Sequence, residues 1–131
     1  MEPQQIAPFE PAPIDLPAAT VARARALLID LQQGHIDRAQ FDEQMNVMLT
    51  DERLRSGASF IASFGEPREF TPVEERRTAE GVAALFRVAF ASGKLTWVVR
   101  VNPEGKINGF DLRRSLNHHI YNVVNRSISG Y

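Results

Sequence analysis

Apolar residues recur at spacings of three and four over the first half of the chain and at a spacing of two over much of the second. The first period is that of a helix and the second that of a strand. The helical stretch runs from Asp15 to Gly65. Asp15 is placed to cap a first helix, with Pro17 tolerated early because no backbone donor is needed there. Val21, Ala24, Leu28 and Leu31, with Leu27 beside them, make one apolar stripe. Gly34 supplies the left-handed residue that ends it. Asp37 and Gln40 have the spacing of a capping box, which predicts a second helix opening there. Phe41, Met45, Met48 and Leu49 are its buried stripe. Thr50 opens a third helix lined by Leu54, Ile61 and Phe64, closed by Gly65 and Pro67.

The period then shortens. Residues 68–76 form a strand that contains Pro72. Proline cannot donate to a ladder, so this strand belongs at a sheet edge. Residues 82–91 place Phe86, Val88 and Phe90 on one face, and 91–94 read as a hairpin turn. Residues 95–101 place Leu95, Trp97, Val99 and Val101 on one face and Thr96, Val98 and Arg100 on the other. Asn102-Pro103-Glu104-Gly105 is a turn, since proline presets φ and glycine accepts φ > 0. Residues 106–113 form the next strand, where Gly109 interrupts the alternation and marks a bulge. Residues 115–131 fit a helical stripe through Leu116, Ile120 and Ile128, which favours a helix; their β-branched content would also suit a strand.

Helices followed by a meander predict an α+β fold: N-terminal helices packed on a curved four-stranded antiparallel sheet. Phe86, Phe90 and Trp97 would press on Leu28, Leu31, Phe41 and Met45. The ends lie outside this unit. Residues 1–15 are a proline-rich, acidic, extended arm, 16–114 a single domain, and 115–131 an extension. The 131 residues suit one core, and 44% apolar with 24% charged is the balance of a globular domain. Without cysteine there is no disulfide, thiolate nucleophile or Cys-ligated metal. A net charge of −1 argues against broad nucleic-acid binding. No acidic residue follows Asp111, while Arg113, Arg114, Arg126, His118 and His119 do, as a solvated basic face or a contact for an acidic partner.

The run Phe64-Gly65, Phe70, Ser92-Gly93-Lys94-Leu95-Thr96-Trp97 and Gly105-Lys106-Ile107-Asn108-Gly109-Phe110 resembles a small bacterial domain of unknown function. That domain is found beside or fused to serine hydrolases. It belongs to the superfamily similar to nuclear transport factor two and ketosteroid isomerase, with a cystatin-like topology. The resemblance spans roughly residues 18–114 and rests on turns and core positions. It implies a pocket between helices and sheet, pairing as a homodimer through the sheet face, and a secreted or periplasmic home, although the chain carries no basic-then-apolar signal peptide. Fold alone assigns no activity.

Isomerase chemistry needs a carboxylate base in an apolar pocket. Asp111 and Asp30 are the candidates, but Asp111 faces away from the core if Phe110 and Leu112 face it, unless a bulge at Gly109 alters the register. His118 and His119 are adjacent and diverge, His35 is distant, and no metal-ligand spacing occurs, so neither metal nor cofactor is implied. No nucleophile elbow, dinucleotide fingerprint or phosphate loop is present. Trp97, Phe86, Phe90, Phe41 and Met45 read either as core or as walls of a ligand pocket. Arg87 and Arg100 fall on the other sheet face, a mixed surface suited to solvent or to a dimer interface. Glu74, Glu75, Arg76 and Arg77 read as a charged edge that blocks further strand pairing. The first reading is a non-enzymatic binding or protein-interaction module, accessory to a larger hydrolase-type partner or taking a small apolar ligand. The alternative is a small-molecule isomerase or lyase. No apolar run is long enough to span a membrane.

Overall fold

The computed structural model describes residues 12–114 and 119–121. Its helices are α1 (Ala18–Gln33), α2 (Glu43–Met48) and α3 (Asp51–Ala62). Its strands are β1 (Glu69–Thr78), β2 (Gly81–Phe90), β3 (Gly93–Val101), β4 (Ile107–Arg113) and β5 (His119–Tyr121). The fold is α+β, as the change of period predicts. The strands form one antiparallel sheet in chain order, β1-β2-β3-β4-β5.

Local chemistry sets most helix ends. The last residue before α1 is Pro17, not Asp15. The Pro17 carbonyl accepts from the amides of Thr20 and Val21, so backbone replaces the expected side-chain cap. Gly34, at φ +82°, ends the helix. Its amide donates to Leu31 O and that of His35 to Asp30 O, which satisfies two otherwise orphaned carbonyls. Between α1 and α2 the capping-box reading fails. Asp37 caps only a three-residue 3-10 turn, Arg38–Gln40, by accepting from Ala39 N. Phe41 is extended (φ −106°, ψ 151°) and forms a parallel bridge with Ile107, while the Asp42 amide donates to Ile107 O. A residue committed to a strand cannot carry a helix, so α2 starts afresh with Asp42 as its cap, 2.8 Å from Met45 N. Thr50 caps α3 by accepting from Arg53 N at 3.2 Å. Thr50→Ala should therefore cost about 1 kcal/mol, read as a lower urea midpoint with an unchanged slope.

Pro72 lies in β1, at the sheet edge, as its missing donor requires. The Ile14 amide donates to the Pro72 carbonyl at 2.9 Å, so the chain before α1 runs along that edge. The β2–β3 connection is a two-residue loop, Ala91-Ser92, between paired Phe90 and Gly93. In the β3–β4 turn, Asn102 Oδ1 accepts from the amides of Glu104 and Lys106. The register slips at Asn108 rather than Gly109: Arg100 pairs with Gly109 and Val101 with Ile107. This bulge lets Ile107 join Phe110 and Leu112 on one face. The favoured helix over 115–131 gives way to a strand at His119–Tyr121, where the open edge of β4 offers backbone partners. The rest of that segment lies outside the described residues.

One large core joins the helices to one sheet face. Leu28, Leu31, Phe41 and Met45 share it with Phe86, Phe90 and Trp97, the partners their stripes predict. Trp97 is fully buried, its Nε1 donates to Ala24 O at 3.0 Å, and its ring lies 5.7 Å from that of Phe110.

Candidate functional site

A cleft of about 220 Å³ opens where α1 crosses the sheet. Its floor is apolar: Ala24 from α1, Val82 and Ala84 from β2, Val99 and Val101 from β3. Its walls are polar: Thr20 and Arg23 from α1, Glu75 and Arg77 from β1. Arg23 Nε donates to Gln40 Oε1 at 3.1 Å, and its Nη2 to Gln40 O at 3.4 Å, which fixes the guanidinium at the rim. Arg77 Nη2 lies 3.3 Å from Glu75 Oε2, with the arginine side chain 71% exposed. An exposed pair of this kind contributes at most about 1 kcal/mol, so an incoming anion can compete for Arg77. A second, more open depression of about 400 Å³, between α1 and the end of α3, is lined in part by Gln32, Gly65 and Pro67. There the Gln32 amide already donates to the carbonyls of Ile61 and Gly65.

The charged residues of β1 divide between two faces. Glu75 and Arg77 line the cleft, whereas Glu74 pairs with Arg76 on the other side. A bulge at Val73 decides this. Before it, Phe70 and Pro72 align with Val88 and Phe86, on the helix side; after it, Glu75 and Arg77 align with Ala84 and Val82. Unbroken alternation from Phe70 would have turned Glu74 and Arg76 toward the helices instead.

The aromatic and methionine candidates lie deeper. Trp97, Phe86 and Met45 are fully buried and Phe41 and Phe90 nearly so, and none of the five lines this cleft. They hold the frame on which the cleft opens. Asp30 is half-buried on α1 and also lies outside it. Asp111 is buried on the sheet face away from the helices, where Arg113 Nε donates to its Oδ2 at 2.6 Å. Its register opposite Val98 places it there, and the bulge at Asn108 precedes it without reversing it. Neither aspartate therefore faces the apolar floor. His35 lies beside Gln33 on the surface, and His118 is outside the described residues. Among the described residues no group of three or more metal-ligating side chains gathers, and no helix is long and apolar enough to cross a membrane.

No family model matches this chain, and neither does any curated protein or solved structure. The geometry of the cleft is thus the starting point for a functional reading.

Proposed function

We propose that this chain is a non-enzymatic binding module whose cleft takes a small ligand with an apolar body and one acidic group. The observation that carries the reading is the pairing of an apolar floor with Arg23 and Arg77 at its mouth. Buried apolar contact supplies affinity in such a site, and a few placed charges orient the ligand. A guanidinium fork suits a carboxylate because its N–H groups match both oxygens. The order of helices then meander supports the further reading of a cystatin-like domain that serves a larger hydrolase-type partner. The isomerase alternative is less favoured, because the two aspartates chosen for it stand away from the cleft.

Titration with hexanoate tests the reading. The methyl resonances of Val82, Val99 and Val101 should shift saturably, and hexanol at equal concentration should shift them less. Arg77→Ala should weaken hexanoate about tenfold or more, the usual worth of one charge-assisted hydrogen bond. Equal responses to hexanoate in both proteins would overturn the role of Arg77. Turnover of a ketosteroid or a simple ester, abolished by a single substitution in the chain, would overturn the non-enzymatic part.

A further inference from the structure

The charges at the cleft mouth are not all positive. Glu75 stands two residues before Arg77 on β1, and after the Val73 bulge both line the cleft. Their side chains converge, with Arg77 Nη2 donating to Glu75 Oε2 at 3.3 Å. A ligand carboxylate that reaches Arg77 therefore arrives beside a second carboxylate. Like charges held this close repel, so a plain fatty acid meets the cleft at a disadvantage. Summed over the walls, Arg23, Arg77 and Glu75 leave one positive charge. The order of the charges decides what fits, and the sum does not.

The Glu75–Arg77 bond leaves polar groups to spare. A guanidinium carries five N–H groups, and Arg77 spends one of them on Glu75. Arg23 directs Nε and Nη2 to Gln40, a neutral partner that does not cancel its charge. Thr20, also on the wall, adds a hydroxyl that can donate or accept. The floor is ordered to match. Glu75 lies in register with Ala84 and then Val99, and Arg77 with Val82 and then Val101. Each member of the charged pair thus opens on a lane of two apolar side chains that crosses from β1 to β3. Two strand spacings give about 10 Å, enough for a short aliphatic chain. A cleft of about 220 Å³ suits a small molecule.

We propose that the ligand of this cleft is a free α-amino acid with an aliphatic side chain. The inference rests on the cleft reading above and specifies the group beside the acid. The ammonium answers Glu75. The carboxylate takes the remaining donors of Arg77, with Arg23 as the second cation at the mouth, and the side chain runs over Val82, Ala84, Val99 and Val101. An α-amino acid carries both charges on one carbon, which suits an acidic and a basic side chain already in contact. A peptide separates its charges to its two ends and satisfies one member of the pair only. Glu75 is then the specificity-determining residue, turning away plain carboxylates and accepting those with a neighbouring cation.

Norleucine is hexanoate with an ammonium at C2, so the two acids isolate that group. Titrated into the full chain, norleucine should shift the methyl resonances of Val82, Val99 and Val101 at a concentration about tenfold or more below that needed for hexanoate. N-acetylnorleucine keeps the carboxylate and loses the cation, and should bind no better than hexanoate. Glu75→Gln should reverse the preference: norleucine weakens about tenfold, while hexanoate tightens because Arg77 has lost its internal competitor. In the parent protein, hexanoate or N-acetylnorleucine binding as tightly as norleucine would overturn the amino-acid inference and leave the cleft reading standing. Glu75→Gln weakening both acids alike would also overturn it, since Glu75 would then serve only to position Arg77. If none of the three compounds moves these methyls, the cleft reading fails and takes the inference with it.

Discussion

Trp97→Ala is expected to remove about 4 kcal/mol of stability, within the range found for large aromatic deletions from packed cores. Small domains hold only about 5–15 kcal/mol in all, so the variant stands near the limit of folding. The cost has two sources. The indole is wholly buried between α1 and β4, in contact with the Phe110 ring, and its removal leaves a cavity no neighbour fills without moving. Its Nε1 also ties β3 to α1 through Ala24 O at 3.0 Å. Trp97→Phe keeps much of the volume but loses this bond, and should cost about 1–2 kcal/mol. Urea unfolding followed by circular dichroism checks both, because the protein has one tryptophan and the variants lose its fluorescence. With a slope of about 2 kcal/mol per molar, the alanine midpoint should fall by roughly 2 M. A midpoint that stays with the parent protein would mean that the indole is not the centre of the core.

That core was legible because stripes and alternation report burial directly. Leu28, Leu31, Phe41, Met45, Phe86, Phe90 and Trp97 meet as their spacing predicts. Helix starts were less legible, because several residues compete to cap. Asp37 satisfies the capping-box spacing, yet Phe41 gains a bridge to Ile107, a residue far away in sequence, and that contact moves the start of α2 to Glu43. The strand at His119–Tyr121 was only half legible, because β-branched content left a strand open while spacing favoured a helix. Its neighbour in the sheet, β4, is a tertiary partner, and local spacing carries no sign of it.

The cleft was hidden by a single residue. Glu74, Glu75, Arg76 and Arg77 look in the sequence like one charged edge. Only the bulge at Val73 separates them into a pair that lines the cleft and a pair on the opposite face. A bulge depends on how two strands pair, so alternation within β1 alone could not reveal it. Arg23 was equally inconspicuous, a charged position on the flank of an apolar helix stripe. Gln40, in the turn after α1, holds its guanidinium at the cleft mouth. The large aromatic candidates are buried in the core and do not line this cleft. Large apolar side chains signal burial, whereas a small binding site needs small floor residues such as Ala84 and Val99.

The β1–β2 hairpin, which carries Glu75 and Arg77, depends on Gly81. Gly81→Ala is expected to cost about 3–5 kcal/mol, combining positive-φ strain with overpacking. Its φ is +135°, and a Cβ there would stand 2.0 Å from Val101 O and 2.9 Å from Asn102 Cα. Both contacts are backbone, so no side-chain rotation relieves them. The start of β2 must lift from the end of β3, and the Val82–Val101 pairing beside it is the first to go. Gly105→Ala separates the two effects. Gly105 also has positive φ, +86°, but a Cβ there meets nothing within 4 Å. It should lose only about 1–2 kcal/mol, the conformational part. Urea midpoints give the comparison. A Gly81 variant no weaker than the Gly105 variant would mean that the hairpin yields freely and that β2 and β3 are not closely packed at this end. The methyl spectrum gives a second reading: Val82 and Val101 line the cleft, so Gly81→Ala should move their resonances while leaving Leu112, across the sheet, in place. The cleft would then deform before the core does, because its floor and its charged wall hang on one tight approach between two backbones.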